Sequence, residues 1–560
     1  MGKMIKDDIF LLVEKSLRRL ADENLISVIH PELIVVGHAK DSRFGDFSTN
    51  IAMRMAKDYG QPLELASLII KNLPEDPRFE KIEALPPGFI NFYLSVNARS
   101  EALIEIMEKG SDYGNLDLGK GKKVNIDYLS ANPTGPVHIG NARGIIGYTI
   151  ANVLTKAGYE VEKEFYVNDI GGQANKFART LVYWFKTELG ETVEFPEGGY
   201  PGEFYRELSN KVVQLLGKDK LLAQKPEEIE GTFRRVGMEL SVALIKETVC
   251  NLKVDFDRWV SEEDVQKSFT EKVFKVLEQN GYTKESEGAV WFTSPDFEDL
   301  AEKESVLKKS DGTYTYFMDD IAYHWNRFIN KKFDLIIDVQ GSNHHGHIAR
   351  MKAAMKAIGV DPEKLQFVLY QFVRLKQGAE VLRMAKREGT FVTADQVVSE
   401  VPSDVLKFFF LLRAPDSHLD FDLELAKNTT AQNPLYYVQY ALARLHGILR
   451  QAESVSDNQM NINFKDADLS KLKEPEEIAV ITDLMLFPEI IEEISFNFQV
   501  QKLPYYAIEL ANKLHSFYDK HRVLSEDAEL TKARLYLVKA ASIVLAETLM
   551  VIGVEAPERM

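Results

Sequence analysis

The sequence predicts an α/β protein built on a doubly wound parallel sheet, with a small α/β module ahead of the sheet and an all-α bundle behind it. Three observations carry this prediction. Between about 124 and 430, short apolar runs (VNIDYLS, VEKEFYV, FDLIIDV, LQFVLYQFV) alternate with helical stretches, the pattern of parallel strands joined by crossover helices. Ahead of them, a helical pattern (Ile5, Phe10, Leu12, Val13, Leu17, Leu20) opens a segment that a strand-like FINFYLS closes. From about 431 the spacing is helical, through YYVQYALARLHGILRQA and again from 471 to 553.

At 560 residues the chain is too long for one compact core, so three domains are expected: 1–115, 116–430 and 431–560. The polar, glycine-rich SDYGNLDLGKGKK marks the first boundary. Within the second domain, about 185–300 is more helical and charged and reads as an insertion. It contains a hairpin in GYTKESEGAVWF, and a second hairpin follows in KKSDGTYTYF with Asp311-Gly312 at the turn. The polar stretch 453–470 links the C-terminal helices.

Composition limits the partners. No run is read as long enough to span a membrane, and MGKMIKDDIF lacks the apolar core of a signal peptide. Cys250 is the sole cysteine, which excludes an intramolecular disulfide and a cysteine-built zinc site, and fits a reducing, cytoplasmic setting. A net charge of -17 disfavours nonspecific nucleic-acid binding. A folded RNA would have to be gripped by local patches.

The chemistry concentrates in 130-SANPTGPVHIGNARG-144. A plausible buried strand precedes it and a helical run follows, so it stands where a helix N-terminus can meet phosphate. Gly140 would let a purine approach the backbone, and His138 can donate to a phosphate oxygen. Alone, a His-x-Gly-Asn is more often a tight turn with a buried histidine; the preceding SANPTGPV shifts the balance. Gly114-x-x-x-x-Gly119-Lys120 has phosphate-loop spacing, but Gly121 replaces the Ser or Thr and the segment precedes a strand, so it is a linker. Far downstream, 374-RLKQGAEVLRMAKREG-389 carries five basic residues against two acidic ones, and glycines at 378 and 389 flank its 383-RMAKRE-388 part. Such a loop is commonly just solvated, yet beside a nucleotide it could neutralise departing pyrophosphate.

Together these two elements resemble the signatures of class I aminoacyl-tRNA synthetases, His-x-Gly-His and Lys-Met-Ser-Lys-Ser/Arg. The likeness extends in order through EFYVNDIGGQ, GSNHHGHI, MAKREGTFVT, DSHLDFDLELA and NPLYYVQYALARL, and through the N-terminal GDFSTNIA and PGFINFYL. In this ordered set the chain is similar to arginyl-tRNA synthetases of the bacterial kind over nearly its whole length. It departs from the signatures at Asn141 for His, Arg383 for Lys and Ala385 for Ser, and it has Asn343 where Asp is common.

The resemblance implies a Rossmann-like catalytic domain, an additional N-terminal domain contacting tRNA, and a helical anticodon-binding domain. It implies a monomer that activates L-arginine with ATP and magnesium, without a tightly bound cofactor, and transfers arginine to its cognate tRNA(Arg). His138, Asn141 and Lys386 would stabilise charge in catalysis. Ser130, Gly140, Gly341 and Met384 would join them around ATP. Arginine would be held by Asp127, Asn132, His138, Tyr316, Asp320 and His344. Physically, a planar five-donor cation calls for carboxylates, and Tyr316 and Asp320, four apart, face one way if a helix begins there. Without the resemblance the ordinary readings have the edge: Asp127 pairing in the sheet and Asp320 capping a helix near Asp319. 343-NHHGH-347 invites a metal reading, but hydrogen bonding is favoured because no Cys or Glu completes a site at usual spacing. Tyr437, Tyr440 and Arg444 line one helical face, which is more often core; the resemblance assigns them, with the C-terminal Met560, to the tRNA. No contact with DNA or membrane is expected. A small-molecule nucleotidyltransferase of similar fold, and a non-catalytic RNA-binding relative, are the alternatives.

Overall fold

The computed structural model describes residues 4–39, 41–294, 305–342, 345–377, 380–381, 392–456 and 466–560. At the N-terminus, Ile9, Val13, Leu17 and Leu20 form one stripe of the helix Ile5–Asp22. That stripe is buried with Phe47, Ile90 and Phe92 of a four-stranded antiparallel sheet, ordered Val36–His38, Phe47–Thr49, Phe89–Leu94, Phe79–Leu85. Burying each such aliphatic side chain contributes about 1.5–3 kcal/mol. Buried Asp46 ties this module down: it accepts from Leu94 N at 2.7 Å, Arg99 Nη2 at 3.0 Å and Thr482 Oγ1 at 3.2 Å.

The central sheet has five strands: β1 (Lys123–Asp127), β2 (Glu160–Val167), β3 (Arg258–Ser261), β4 (Leu335–Gly341) and β5 (Leu365–Tyr370). All run parallel, in the order β5-β4-β1-β2-β3. The order reverses between β1 and β4, so the loops leaving their C-terminal ends diverge and open a crevice, the usual ligand position in such sheets. β3 comes from inside the stretch expected to be inserted. Its four residues are too few for their alternation to stand out from the flanking charged helices.

The helices used below are α1 (Ile146–Lys156), α2 (Gly171–Glu188), α3 (Glu203–Leu216), α4 (Pro226–Asn251), α5 (Tyr316–Trp325), α6 (Ala394–Glu400), α7 (Pro434–Ser456), α8 (Pro475–Asn497), α9 (Lys502–Lys520) and α10 (Ala528–Ile552). α2, α3 and α4 share a separate small core around Phe177, Leu181, Tyr205, Leu208 and Phe233. Both expected hairpins are present, Thr283–Ser286 with Ala289–Phe292 and the tight turn closed by Lys309 N to Thr313 O at 2.8 Å.

One continuous apolar core joins β1, α1 and the four C-terminal helices. Thr149 Oγ1 and Asn152 Nδ2 of α1 donate to the carbonyls of Ile552 (3.0 Å) and Val551 (3.2 Å), and Lys156 Nζ pairs with Glu547 at 2.8 Å in the interior. The sequence reading is corrected at α10, which is long and apolar enough to cross a membrane by length and composition. Here it is a helix of the bundle, with most of its apolar stretch buried against its neighbours.

Candidate active site

β1 ends at Asp127, and the chain then turns through Leu129, whose φ of 60° is rare for a branched side chain. His138 caps the short helix Ile139–Ala142, its Nδ1 accepting from Gly140 N at 2.8 Å. That bond places the neutral ring's proton on Nε2, making it the donor side. A Cβ at Gly140 would lie 2.9 Å from His138 Nδ1, so glycine is required there by the imidazole folding over its own backbone. Behind the turn, Arg143 is fully buried and donates to the carbonyls of Gln371, Arg413, Ala414 and Ser417 at 2.6–3.2 Å. Tyr370 donates to Asn141 O at 3.2 Å.

The chain that follows the second signature meets the same turn from Val392 on. Ile139 N donates to Val392 O at 3.1 Å and Ala394 N to Val137 O at 2.8 Å, with His138 opposite Thr393. Thr393 and Gln396 form a reciprocal cap on α6. On the other side, Val373–Gln377 pairs in parallel with Leu419–Asp422 and antiparallel with Glu380–Val381, and Phe372 lies 3.6 Å from the ideal Cβ position of Gly140. The described chain on both sides of 382–391 therefore flanks the His138 turn. Met384 and Lys386 themselves, like His344, lie outside the described residues.

A cleft of about 2110 Å³ opens above the sheet, and Asp127, Ser130, Asn132, Asn141, Tyr316, Asp320 and Gly341 line it. His138 and Gly140 are not among its lining residues, although Asn141 of the same turn is. Asp127 and Asp338 line the cleft, and Glu164, fully buried, stands in register with them across the sheet. Arg327, fully buried, donates to Asp338 Oδ1 (2.8 Å) and Asn125 Oδ1 (2.6 Å), while His324 Nε2 lies 2.8 Å from Asp338 Oδ2. Burial would raise Asp338, but Arg327 and His324 outweigh it and hold this carboxyl below the usual range. Burial and then ionised Asp338 push Asp127 up to about 7, against Arg327 and the Ser130 hydroxyl that donates to it.

At the far end, Thr315 caps α5 by accepting from Met318 N, so the helix does begin at Tyr316. Asp320 Oδ2 meets His347 Nε2 at 3.1 Å. Asp319 accepts from Gln266 and Thr270, both at 2.9 Å, and burial moves it up to about 6 against those two bonds. Glu262 is 1% exposed, and its Oε2 has no hydrogen-bond partner among the described residues. Burial, then Asp319, Asp320 and Asp169, push it up to about 9. This end thus gathers three carboxyls, none of which is ion-paired to a lysine or arginine among the described residues. Sequence reasoning missed Glu262 and Asp319. Glu262 sits in SEEDV, which reads as a solvated helix start, and only the pairing of β3 beside β2 turns it inward. Asn132 is exposed, its Nδ2 donating to Gln173 at 3.1 Å.

In the helical part, Tyr437 donates to Asn512 at 2.7 Å and packs on His515. Tyr440 stacks on the same ring yet stays 50% exposed, and Arg444 lies 5.4 Å over Tyr518. The exposed Met560 ends a tail held along this helix by Gln439 to Glu555 O (2.9 Å) and Arg450 to Glu558 O (3.1 Å).

Comparison with known proteins decides what this arrangement serves. The chain is 42% identical over 561 residues to the arginine–tRNA ligase of Caldanaerobacter subterraneus, covering 99% of both chains. The chain belongs to the arginyl-tRNA synthetase family. It is 40% identical to the arginine–tRNA ligase of Dehalococcoides mccartyi, again over 99% of both. Three family models match it: the arginyl tRNA synthetase N-terminal domain at 11–94, the catalytic domain of class I (R) tRNA synthetases at 102–407, and the DALR anticodon binding domain at 438–560. The fold matches that of Thermus thermophilus arginyl-tRNA synthetase with a TM-score of 0.77 over the full length of both chains, at 22% identity. As an arginyl-tRNA synthetase family member, it is a ligase that charges tRNA with arginine in protein biosynthesis, and class I catalysis of this kind uses ATP.

Proposed function

We propose that charging proceeds in two steps at the cleft above β1 and β4. The arginine carboxylate attacks the α-phosphate of ATP, forming arginyl-adenylate and releasing pyrophosphate. The 3′-terminal ribose hydroxyl of tRNA(Arg) then attacks the adenylate carbonyl and releases AMP. No side chain becomes covalently bound, so the protein's work is positioning and charge stabilisation. His138, Asn141 and Lys386 meet the phosphates, with Ser130, Gly140, Gly341 and Met384 around the nucleotide. Tyr316, Asp320 and Asp127 take the guanidinium, and Glu262 joins them. Asn132, His138 and His344 hold the substrate's backbone end. Among the described residues no three potential donor side chains gather in metal-binding geometry, so magnesium would ride on the triphosphate and water.

The observation that supports this most is what the cleft brings together: Asn141 of the His138 turn and the carboxyls Glu262, Asp319 and Asp320 all line it. Tyr437, Tyr440, Arg444 and Met560 would meet tRNA. We further propose a cytoplasmic monomer with no DNA or membrane partner, divided at about 115 and 430, with the stretch near 185–300 added to the catalytic domain. Offering total tRNA each amino acid in turn tests the reading: arginine alone should be esterified. Charging with another amino acid, or adenylyl transfer to a small acceptor without tRNA, would reject it.

The carboxyls also set a pH dependence. In the unliganded protein Asp127 holds its proton only below about 7 and Glu262 below about 9, whereas guanidinium stays charged throughout. Binding favours the ionised carboxyls and so releases protons. Arginine affinity should therefore rise with pH from 6 to 9, by up to about tenfold per unit for each proton released. Calorimetric titration in two buffers of different ionisation enthalpy reads both affinity and proton count. A flat affinity with no proton release would contradict the assignment.

A further inference from the structure

The small α2–α3–α4 core has no role in the steps above, yet it touches the nucleotide turn directly. Tyr205 of α3 is 5% exposed and is wedged among Phe177, Tyr200 and Phe204. Its hydroxyl donates to Thr134 O at 2.9 Å, 71 residues back along the chain. At the next position, a Cβ on Gly135 would lie 2.9 Å from the same hydroxyl and 3.9 Å from the ring carbon that bears it. Gly135 is not in the left-handed region, so glycine is not demanded there by backbone conformation; it is demanded by the tyrosine. The neighbouring Asn132 bonds Gln173 of α2, so two positions of SANPTGPV rest on this core.

We infer that Tyr205 is a positioning residue for ATP: its hydroxyl, seated on the α2–α3–α4 core, sets the height of the Thr134-Gly135 turn and thereby the approach of His138 and Asn141 to the triphosphate. The inference rests on the assignment of this turn to ATP. A general loss of folded protein lowers kcat and leaves the KM for ATP unchanged, whereas a displaced turn moves that KM.

The test is ATP–pyrophosphate exchange by the full chain with arginine and tRNA(Arg) present. Tyr205→Phe keeps the ring and loses one hydrogen bond; it should raise the KM for ATP about 3- to 10-fold. Gly135→Ala forces the turn off the hydroxyl and should raise it about 10-fold or more. In the double variant the alanine methyl faces a ring carbon at ordinary contact distance, so its KM should fall below that of Gly135→Ala alone, a reversal expected only of touching residues. An unchanged KM in Tyr205→Phe, or a double variant at or above Gly135→Ala, overturns the inference. If Gly135→Ala does not fold, judged by thermal unfolding, Tyr205→Phe alone decides. Absence of exchange in the unmodified protein would instead reject the ATP assignment beneath it.

Discussion

Replacing Lys386 with alanine is expected to slow adenylate formation about 10²- to 10³-fold and to leave arginine binding intact. The flanking chain supports this. Val392 and Thr393 pair with the His138 turn, and Phe372 packs on its opposite side. The stretch 382–391 carries Arg383, Lys386 and Arg387, and the chain that follows it is the part paired with that turn. Pyrophosphate departs with increased negative charge, and an ammonium aimed there acts on the transition state more than on bound substrate. Single-turnover adenylation with equilibrium dialysis of labelled arginine separates the two effects. Unchanged adenylation would remove Lys386 from the reaction.

Asp320→Asn is expected to raise the KM for arginine about 10²-fold with the KM for ATP unchanged. The amide keeps the shape and gives up the charge, so the guanidinium loses a charge-assisted partner at the wall where Tyr316 begins α5. Glu262 and Asp319 remain and limit the loss, since removing Asp320 also removes one of the charges that keep Glu262 protonated. Initial rates over a grid of arginine and ATP concentrations give both constants. Losses of equal size in both would assign Asp320 to general architecture and leave the guanidinium pocket without its proposed centre.

The parts of the site legible in the sequence were those written in local chemistry. The apolar run before SANPTGPV announced β1, the prolines and glycines announced the turn, and the four-residue spacing of Tyr316 and Asp320 fitted one face of the helix that does begin there. Glycine at turns marked both hairpins. What stayed hidden depended on neighbours distant along the chain. Glu262 looks like any exposed acid until β3 is placed at the sheet edge. Asp338, His324 and Arg327 lie on a strand and a helix whose packing no spacing encodes, yet they set the charge on Asp127. For Gly140 the sequence suggests only room for a purine, whereas the close contact in the structure comes from the neighbouring His138. The apolar length of α10 is the mark of burial within a bundle, which periodicity alone does not separate from a span.

The shared core between α1 and the C-terminal helices has a consequence for how this molecule can be handled. Because α10 and the residues after it are hydrogen-bonded and ion-paired to the helix that follows the nucleotide turn, the tRNA-reading end cannot be detached as a free module: severing the chain near 430 would leave apolar surface uncovered on both fragments.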